Sequence, residues 1–160
     1  MGTDREFLRH TLATLAYRGA KATRNAPPEF AAFRASPTTR TPVEILAHIG
    51  DLIDWGLTMA RDQQVWNNAK PLPWDKEVRR FHTACEAFDA FLASDAPLAA
   101  PVEHIFQGPI ADALTHVGQI NTLRRIFGAP VKGENYSRAA IQAGRVGKDQ
   151  RPADPKYEFD

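Results

Sequence analysis

The positions of the prolines constrain the fold of this chain more than any other feature. Of its 160 residues, 12 are proline, and they fall in short clusters separated by proline-free stretches of about helix length. Proline is costly inside a helix but is tolerated in the first turn, so the clusters mark the ends of segments. The spacing therefore predicts several helices joined by proline-containing connections.

Four of these stretches have apolar residues at the three- and four-residue spacing of an amphipathic helix. The second begins with a capping box, Thr41-Pro42-Val43-Glu44, and the fourth is expected to begin at Gly108-Pro109 and to end at Gly128. A short additional helix is expected around Val102–Phe106. Because no stretch alternates as a strand does, we predict an all-α protein with the architecture of a four-helix bundle.

Two further segments have a distinct character. The connection formed by residues 62–73 is longer than a tight helical hairpin requires, which is consistent with a crossover along the bundle. After Pro130 the composition shifts to Gly, Lys, Asp, Arg and Gln. We therefore assign residues 1–131 to the bundle and residues 132–160 to a C-terminal extension, either packed on the bundle or partly mobile.

The charge balance and the absence of long apolar runs exclude several classes of protein. The chain has 20 Lys and Arg against 19 Asp and Glu, a net charge of +1, so no basic surface for nucleic acid is expected. No apolar run reaches the roughly 20 residues of a membrane span. The single cysteine, Cys85, excludes an internal disulfide framework. These features predict a cytoplasmic protein without a membrane or nucleic-acid partner.

Three polar residues on the predicted helices are candidates for chemistry. His48 lies between Ile45 and Leu52 at core spacing and is expected to point into the bundle, while Asp112 and His116 are one helical turn apart on the fourth helix. Two imidazoles and one carboxylate would form a three-ligand metal site with open positions. This donor set suits zinc, nickel, iron or manganese.

Each of these residues also has an ordinary structural interpretation. An interior histidine such as His48 is often a hydrogen-bonded core residue. Asp112 would be favoured by the helix dipole in the first turn after Pro109 without any metal. An Asp–His pair at this spacing can also be a simple surface contact. Spacing alone therefore leaves the metal site and these alternatives open.

The segments around the candidate ligands resemble the DinB-like family of small bacterial metalloenzymes. The segment from Arg40 to Asp51 resembles the first ligand region of that family, and Gly108 to Ile120, with Gly-Gln after His116, resembles the second. The resemblance covers about residues 4–131. It implies metal ligation by His48 and His116, but Asp112 stands where the family usually has histidine. It also implies an up-down-down-up helix order, with residues 62–73 as the crossover.

The resemblance further implies a function. Relatives include transferases and isomerases that use low-molecular-weight thiols, so we expect a divalent-metal-dependent enzyme, most concretely an S-transferase acting on a small electrophilic substrate, and a homodimer. The alternatives are a non-catalytic metal-binding or interaction bundle in a stress response and a metal-dependent hydrolase. The residues identify no general base. Asp51 and Gln119, each one turn beyond a candidate ligand, are possible supporting groups.

The remaining conspicuous residues have simpler interpretations. Cys85 lies within an apolar row and is expected to be a buried, inert thiol. His82 is expected at the edge of that row, and His10 on a solvent-facing or partner-facing surface. His104 could reach the mouth of a pocket, but we expect it to lie outside the site. The three tryptophans either line a pocket or cover the end of the core: Trp55, Trp66 and Trp74.

Overall fold

The computed structural model describes residues 3–160 and shows the predicted all-α four-helix bundle. The helices are α1 (Thr3–Thr23), α2 (Pro42–Ala60), α3 (Trp74–Ala93), α4 (Val102–Ile105) and α5 (Ala111–Phe127), with a π-helical turn, Phe106–Ile110, between the last two. The connections contain 3-10 turns at Pro28–Ala32, Tyr136–Arg138 and Pro155–Tyr157. A two-residue antiparallel pairing joins β1 (Gly133–Glu134) to β2 (Glu158–Phe159). Among residues 3–160, no helix is both long and apolar enough to cross a membrane.

The second and third helices run parallel to each other. Gly50 of α2 faces Arg80 of α3, and further along both helices Gly56 faces Phe88. Contacts that advance in the same direction on both helices require a parallel pair, which no tight hairpin can connect. This pairing confirms the crossover between α2 and α3.

The other two bundle helices run in the opposite direction to this pair. Arg9 near the start of α1 contacts Asp89 near the end of α3, with Nε and Oδ1 3.0 Å apart. Arg124 near the end of α5 donates to the carbonyl of Ala22 at the end of α1, 3.0 Å away, so α1 and α5 are parallel. The helix order is therefore up-down-down-up, as predicted.

The crossover segment, residues 61–73, is attached along the bundle rather than extended into solvent. The amide of Val65 donates to Thr58 Oγ1 over 3.1 Å, and that of Ala69 donates to Asp51 Oδ2 over 3.0 Å. The bonding partners on α2 thus move back towards its start as the segment proceeds. The segment therefore returns the chain along α2 and allows α3 to begin beside the start of α2.

The fourth bundle helix does not begin at Gly108-Pro109, so that prediction was wrong. Helical structure begins at Val102, and Pro109 lies inside the π-helical turn. Proline has no N–H for the helical ladder, and its ring clashes with the carbonyl four residues earlier. A wider π-helical turn removes this conflict and lets the helix continue, which is why a proline that usually marks a helix start is found in the middle of one.

The core lies along the axis of the bundle. Its largest fully buried side chains include Phe30, Phe81 and Phe88, and the thiol of Cys85 is fully buried among them. The capping box at Thr41 and Glu44 forms as predicted, with both hydrogen bonds present. Trp74 covers one end of the core, where it packs edge-to-face on Phe30.

The C-terminal extension contacts α1 and α3. The Glu134 carboxylate accepts from the Tyr17 hydroxyl over 2.7 Å and from Lys21 Nζ over 2.9 Å. Val146 is buried, and its carbonyl lies 3.4 Å from His82 Nδ1. The extension thus adds polar contacts to one side of the bundle, away from His48.

Candidate metal centre

The structure brings together the three residues that the sequence predicted as ligands. His48 is on α2, and Asp112 and His116 are on α5, the neighbouring antiparallel helix. One potential ligand atom from each lies within 4.8 Å of those of the other two. The three residues come from segments far apart in the chain, so their convergence follows from the packing of α2 on α5.

The ring orientations leave nitrogen atoms available at the centre of this cluster. The imidazoles of His48 and His116 are nearly perpendicular, at 88°, with ring centres 4.6 Å apart. His116 Nε2 is 3.4 Å from Asp112 Oδ1. On the other side of the ring, His116 Nδ1 lies 2.8 Å from Gln119 Oε1. An Nδ1–H donated to this amide oxygen would leave Nε2, the nitrogen beside Asp112, as the atom that binds a metal.

The cluster lies in a surface groove and not in the bundle interior where His48 was expected. Both histidines are half-buried, and the Asp112 side chain is 49% exposed. The reason is the width of the apolar face of α2. Ile45, Ile49 and Leu52 occupy the interior, so His48 falls on the flank that α5 only partly covers.

The electrostatic environment favours a neutral His48. Burial lowers the pKa of His48, and the nearby His116 and Arg40 lower it further. The carboxylates of Asp112 and Asp51 act in the opposite direction. A neutral imidazole is the form that can donate a lone pair to a metal.

Two tryptophans form a wall on one side of the cluster. Trp66, from the crossover segment, packs edge-to-face on His48 with ring centres 5.6 Å apart. Trp55 packs edge-to-face on Trp66 at 6.0 Å. Trp55 and Trp66 therefore pack beside the cluster, whereas Trp74 covers an end of the core, which is the second of the two roles considered for the tryptophans.

Asp51 does not support a candidate ligand directly, contrary to one of the roles considered for it. Its buried carboxylate accepts from Arg80 Nη2 over 2.5 Å and from the Ala69 amide. Glu77, also buried, lies 3.5 Å from Arg80 Nη1 and accepts from the amide of Leu72. Arg80 and these two carboxylates thus attach the crossover segment to α2 and α3. They act on the cluster through the position of the crossover segment that carries Trp66, and Asp51 also through its charge, which raises the pKa of His48.

The cluster opens into a cleft between α2 and α5 of about 870 Å³. We call this the α2–α5 cleft. Its walls include His116 and Gln119, the apolar residues Ile45 and Leu123, and Arg40 from the connection before α2. A second cleft of about 520 Å³ reaches His48 from the opposite side of the same connection. The sequence does not reveal the contribution of this connection, because Arg40 differs from other exposed arginines only in its position before a capping box.

The other candidate residues lie outside the site. His10 and His104 are exposed, on α1 and α4. His82 is buried beneath the C-terminal extension, deeper than the edge position that was expected. The thiol of Cys85 is fully buried as predicted, and burial raises its pKa.

Comparison of the chain with models of protein families, with curated protein sequences and with solved structures finds no match. The resemblance to the DinB-like family therefore stays a prediction based on the segments around His48 and His116.

Proposed function

We propose that this protein is a metal-dependent enzyme in which His48, Asp112 and His116 hold a divalent cation. The observation that carries the proposal is the convergence of these three donors, of which His116 also lines the α2–α5 cleft. Two imidazoles and a carboxylate that leave other positions open are the donor set of catalytic rather than structural zinc sites. The resemblance to the DinB-like family points to the same residues.

One pair of donor atoms has the spacing that such an ion requires, and the three donors together lie within 4.8 Å of one another. Metal–ligand bonds of about 2.1 Å place two donors of a tetrahedral site roughly 3.4 Å apart. His116 Nε2 and Asp112 Oδ1 are 3.4 Å apart. The contact between His116 and Gln119 adds the outer hydrogen bond that usually orients a ligating histidine. The Asp112 side chain is 49% exposed, against 13% for His116, and is therefore freer to adjust than His116.

For the reaction we propose transfer of a low-molecular-weight thiol to a small electrophilic substrate. A divalent metal at this position supplies a nucleophile at neutral pH by lowering the pKa of a bound thiol or water. In the transfer, a carbon–sulfur bond forms, the bond to the leaving group breaks, and the thiol proton passes to solvent. The chain has one cysteine, and its thiol is fully buried, so the sulfur would come from a small molecule.

The residues around the cluster have separate roles in this proposal. Gln119 holds His116 in one tautomer, and Trp66 shields His48 from solvent on one side. The α2–α5 cleft, on the side of His116, is the volume in which a substrate would bind. No side chain that lines the cleft is a carboxylate or a cysteine, so the proposed reaction assigns no proton acceptor to the chain there.

Metal content is the first test. We expect zinc titrated into the metal-free protein to bind with a stoichiometry near one by calorimetry, and His116→Ala to lose most of this binding. His104→Ala is the matched control, because His104 is an exposed histidine outside the cluster. Unchanged zinc binding in His116→Ala would refute the assigned ligands.

Activity then separates the proposed reaction from its alternatives. The zinc-loaded protein is assayed with a chloro-dinitrobenzene electrophile, with and without a small thiol, and with a nitrophenyl ester in the absence of thiol. Product that requires thiol, zinc and His116 supports the transferase. Ester cleavage without thiol would instead indicate a hydrolase. Stoichiometric zinc without either activity would favour a metal-binding or interaction module.

A further inference from the structure

The α2–α5 cleft has an uneven distribution of charge. Arg40 is its one cationic side chain besides the titratable His116, and no carboxylate lines it. The nearest acidic residue in the sequence, Glu44, accepts from the Thr41 amide over 2.7 Å and lies 3.6 Å from Arg34 Nη2. Among residues 3–160, Arg40 therefore has no direct ion-pair partner, while Glu44, which lines the second cleft beside Arg40, lies within range of its charge.

The rest of the lining is apolar or already hydrogen-bonded. Ile45, Leu123 and Ile126 form one continuous apolar wall, and Ile126 is 60% exposed. The hydroxyls of Thr115 and Thr122 donate to backbone carbonyls of their own helix. A ligand in this cleft would meet apolar surface along its length and a guanidinium at one end.

The rise of α2 gives a rough scale for the length of a ligand. Arg40 precedes α2 and His48 lies in its second turn, next to His116. The helix rises roughly 9 Å between Pro42 and His48, and a ligand with a body of about six carbon atoms covers that length.

We propose that the α2–α5 cleft binds a small amphipathic monoanion, with its anionic group on Arg40 and its apolar body on Ile45, Leu123 and Ile126. This inference rests on the proposed function for the orientation of the ligand, because the end opposite the anion is the end presented to His48 and His116. Arg40 acts as a specificity-determining residue and does not contact the reacting atoms. The substrate class is therefore a carboxylate or similar monoanion with a short aliphatic or aromatic body.

The test uses two probes that differ only in charge, ω-mercaptohexanoate and ω-mercaptohexanol. Each is titrated under reducing conditions into isotopically labelled protein, with and without zinc, and binding is followed by nuclear magnetic resonance. Because Arg40 is exposed, its ion pair with the carboxylate is expected to make the acid bind about two- to five-fold tighter than the alcohol. The preference for the acid should be present both with and without zinc, and it should be lost in Arg40→Gln.

The matched control is Arg125→Gln, which removes an exposed arginine of α5 that does not line the cleft. It should keep the preference for the acid, so that a change in net charge alone is distinguished from loss of the site. Equal affinity for acid and alcohol in the wild-type protein, or a preference that Arg40→Gln retains, would overturn the proposal.

The two proposals fail in different ways in this experiment. If zinc does not bind, the proposed function fails, but the preference for the acid is still measured in the metal-free protein. If zinc strengthens the binding of both probes equally without any preference for the acid, the metal site stands and the anion site is refuted. Resonances of Thr38, Thr39 and Gly118, which line the cleft, should shift with the acid if it binds at the proposed position.

Discussion

Replacing Arg80 with methionine is expected to destabilise the bundle by about 3 kcal/mol, because it leaves buried carboxylates without their cation. The Arg80 guanidinium lies 2.5 Å from Asp51 and 3.5 Å from Glu77, and their side chains are 2% and 1% exposed. Removal of one partner of a buried ion pair typically costs about 3 to 5 kcal/mol. We take the lower value because Arg80 is 21% exposed, which allows water to enter.

The loss of stability should depend on how deeply each carboxylate is buried and not on the number of ion pairs lost. Asp54 also accepts from Arg80 Nη2, over 3.1 Å, but its side chain is 43% exposed. Asp54→Asn is therefore the control and should cost less than about 1 kcal/mol. Asp51→Asn should cost more than Asp54→Asn, because it alters a buried group that also accepts from the Ala69 amide.

Urea denaturation followed by circular dichroism measures these free energies of unfolding. For a domain of this size, a loss of 3 kcal/mol corresponds to a decrease in Tm of about 6 to 12 °C. Because Asp51 attaches the crossover segment, the fluorescence of Trp66 should also change in Arg80→Met before global unfolding. If Arg80→Met costs less than about 1 kcal/mol, or if Asp54→Asn costs as much as Asp51→Asn, the reasoning is wrong.

Three further predictions concern packing, pH and the metal cluster. Gly56→Ala should destabilise the protein by about 1 to 3 kcal/mol in urea denaturation, since its methyl group would lie 3.1 Å from Pro109 and closer still to α3. Burial lowers the pKa of His82 in the folded protein, so stability should decrease as pH falls below about 6.5, by at most about 1.4 kcal/mol per pH unit. A His82→Gln variant with the same pH dependence as the wild type would contradict this assignment. Gln119→Ala should weaken zinc binding about 10- to 100-fold in calorimetry by removing the hydrogen bond that orients His116, and an unchanged affinity would refute that role.

The sequence predicted the helices well because their ends are encoded locally. The capping box at Thr41 formed where it was expected, since it needs only residues within one turn. Pro109 was misinterpreted because a proline at the start of a helix and a proline in a π-helical turn have the same local sequence. Only the packing of this turn against α2 distinguishes the two.

The candidate site was predictable in its members but not in its surroundings. The spacing of Asp112 and His116 is a local property of one helix, and His48 was grouped with them because its spacing among apolar residues predicted that it points into the bundle. The position of Trp66 on His48 depends on the return path of the crossover segment. Arg40 lines the cleft only because α2 packs on α5. Neither the position of Trp66 on His48 nor that of Arg40 in the cleft produces a periodic pattern in the sequence.

The π-helical turn also determines the direction around the helix axis in which the candidate ligands Asp112 and His116 project. Each residue of a regular α-helix turns the chain by about 100°, so Ile105 and Ala113 would differ by about 80° in direction if the helix were uniform. The wide turn accommodates one additional residue, and the side chains of Ile105 and Ala113 are both fully buried. After this turn, Asp112 and His116 lie beside His48 of α2. A one-residue insertion elsewhere between Ile105 and Asp112 would rotate the pair by about 100° from His48 while leaving α5 intact as a helix.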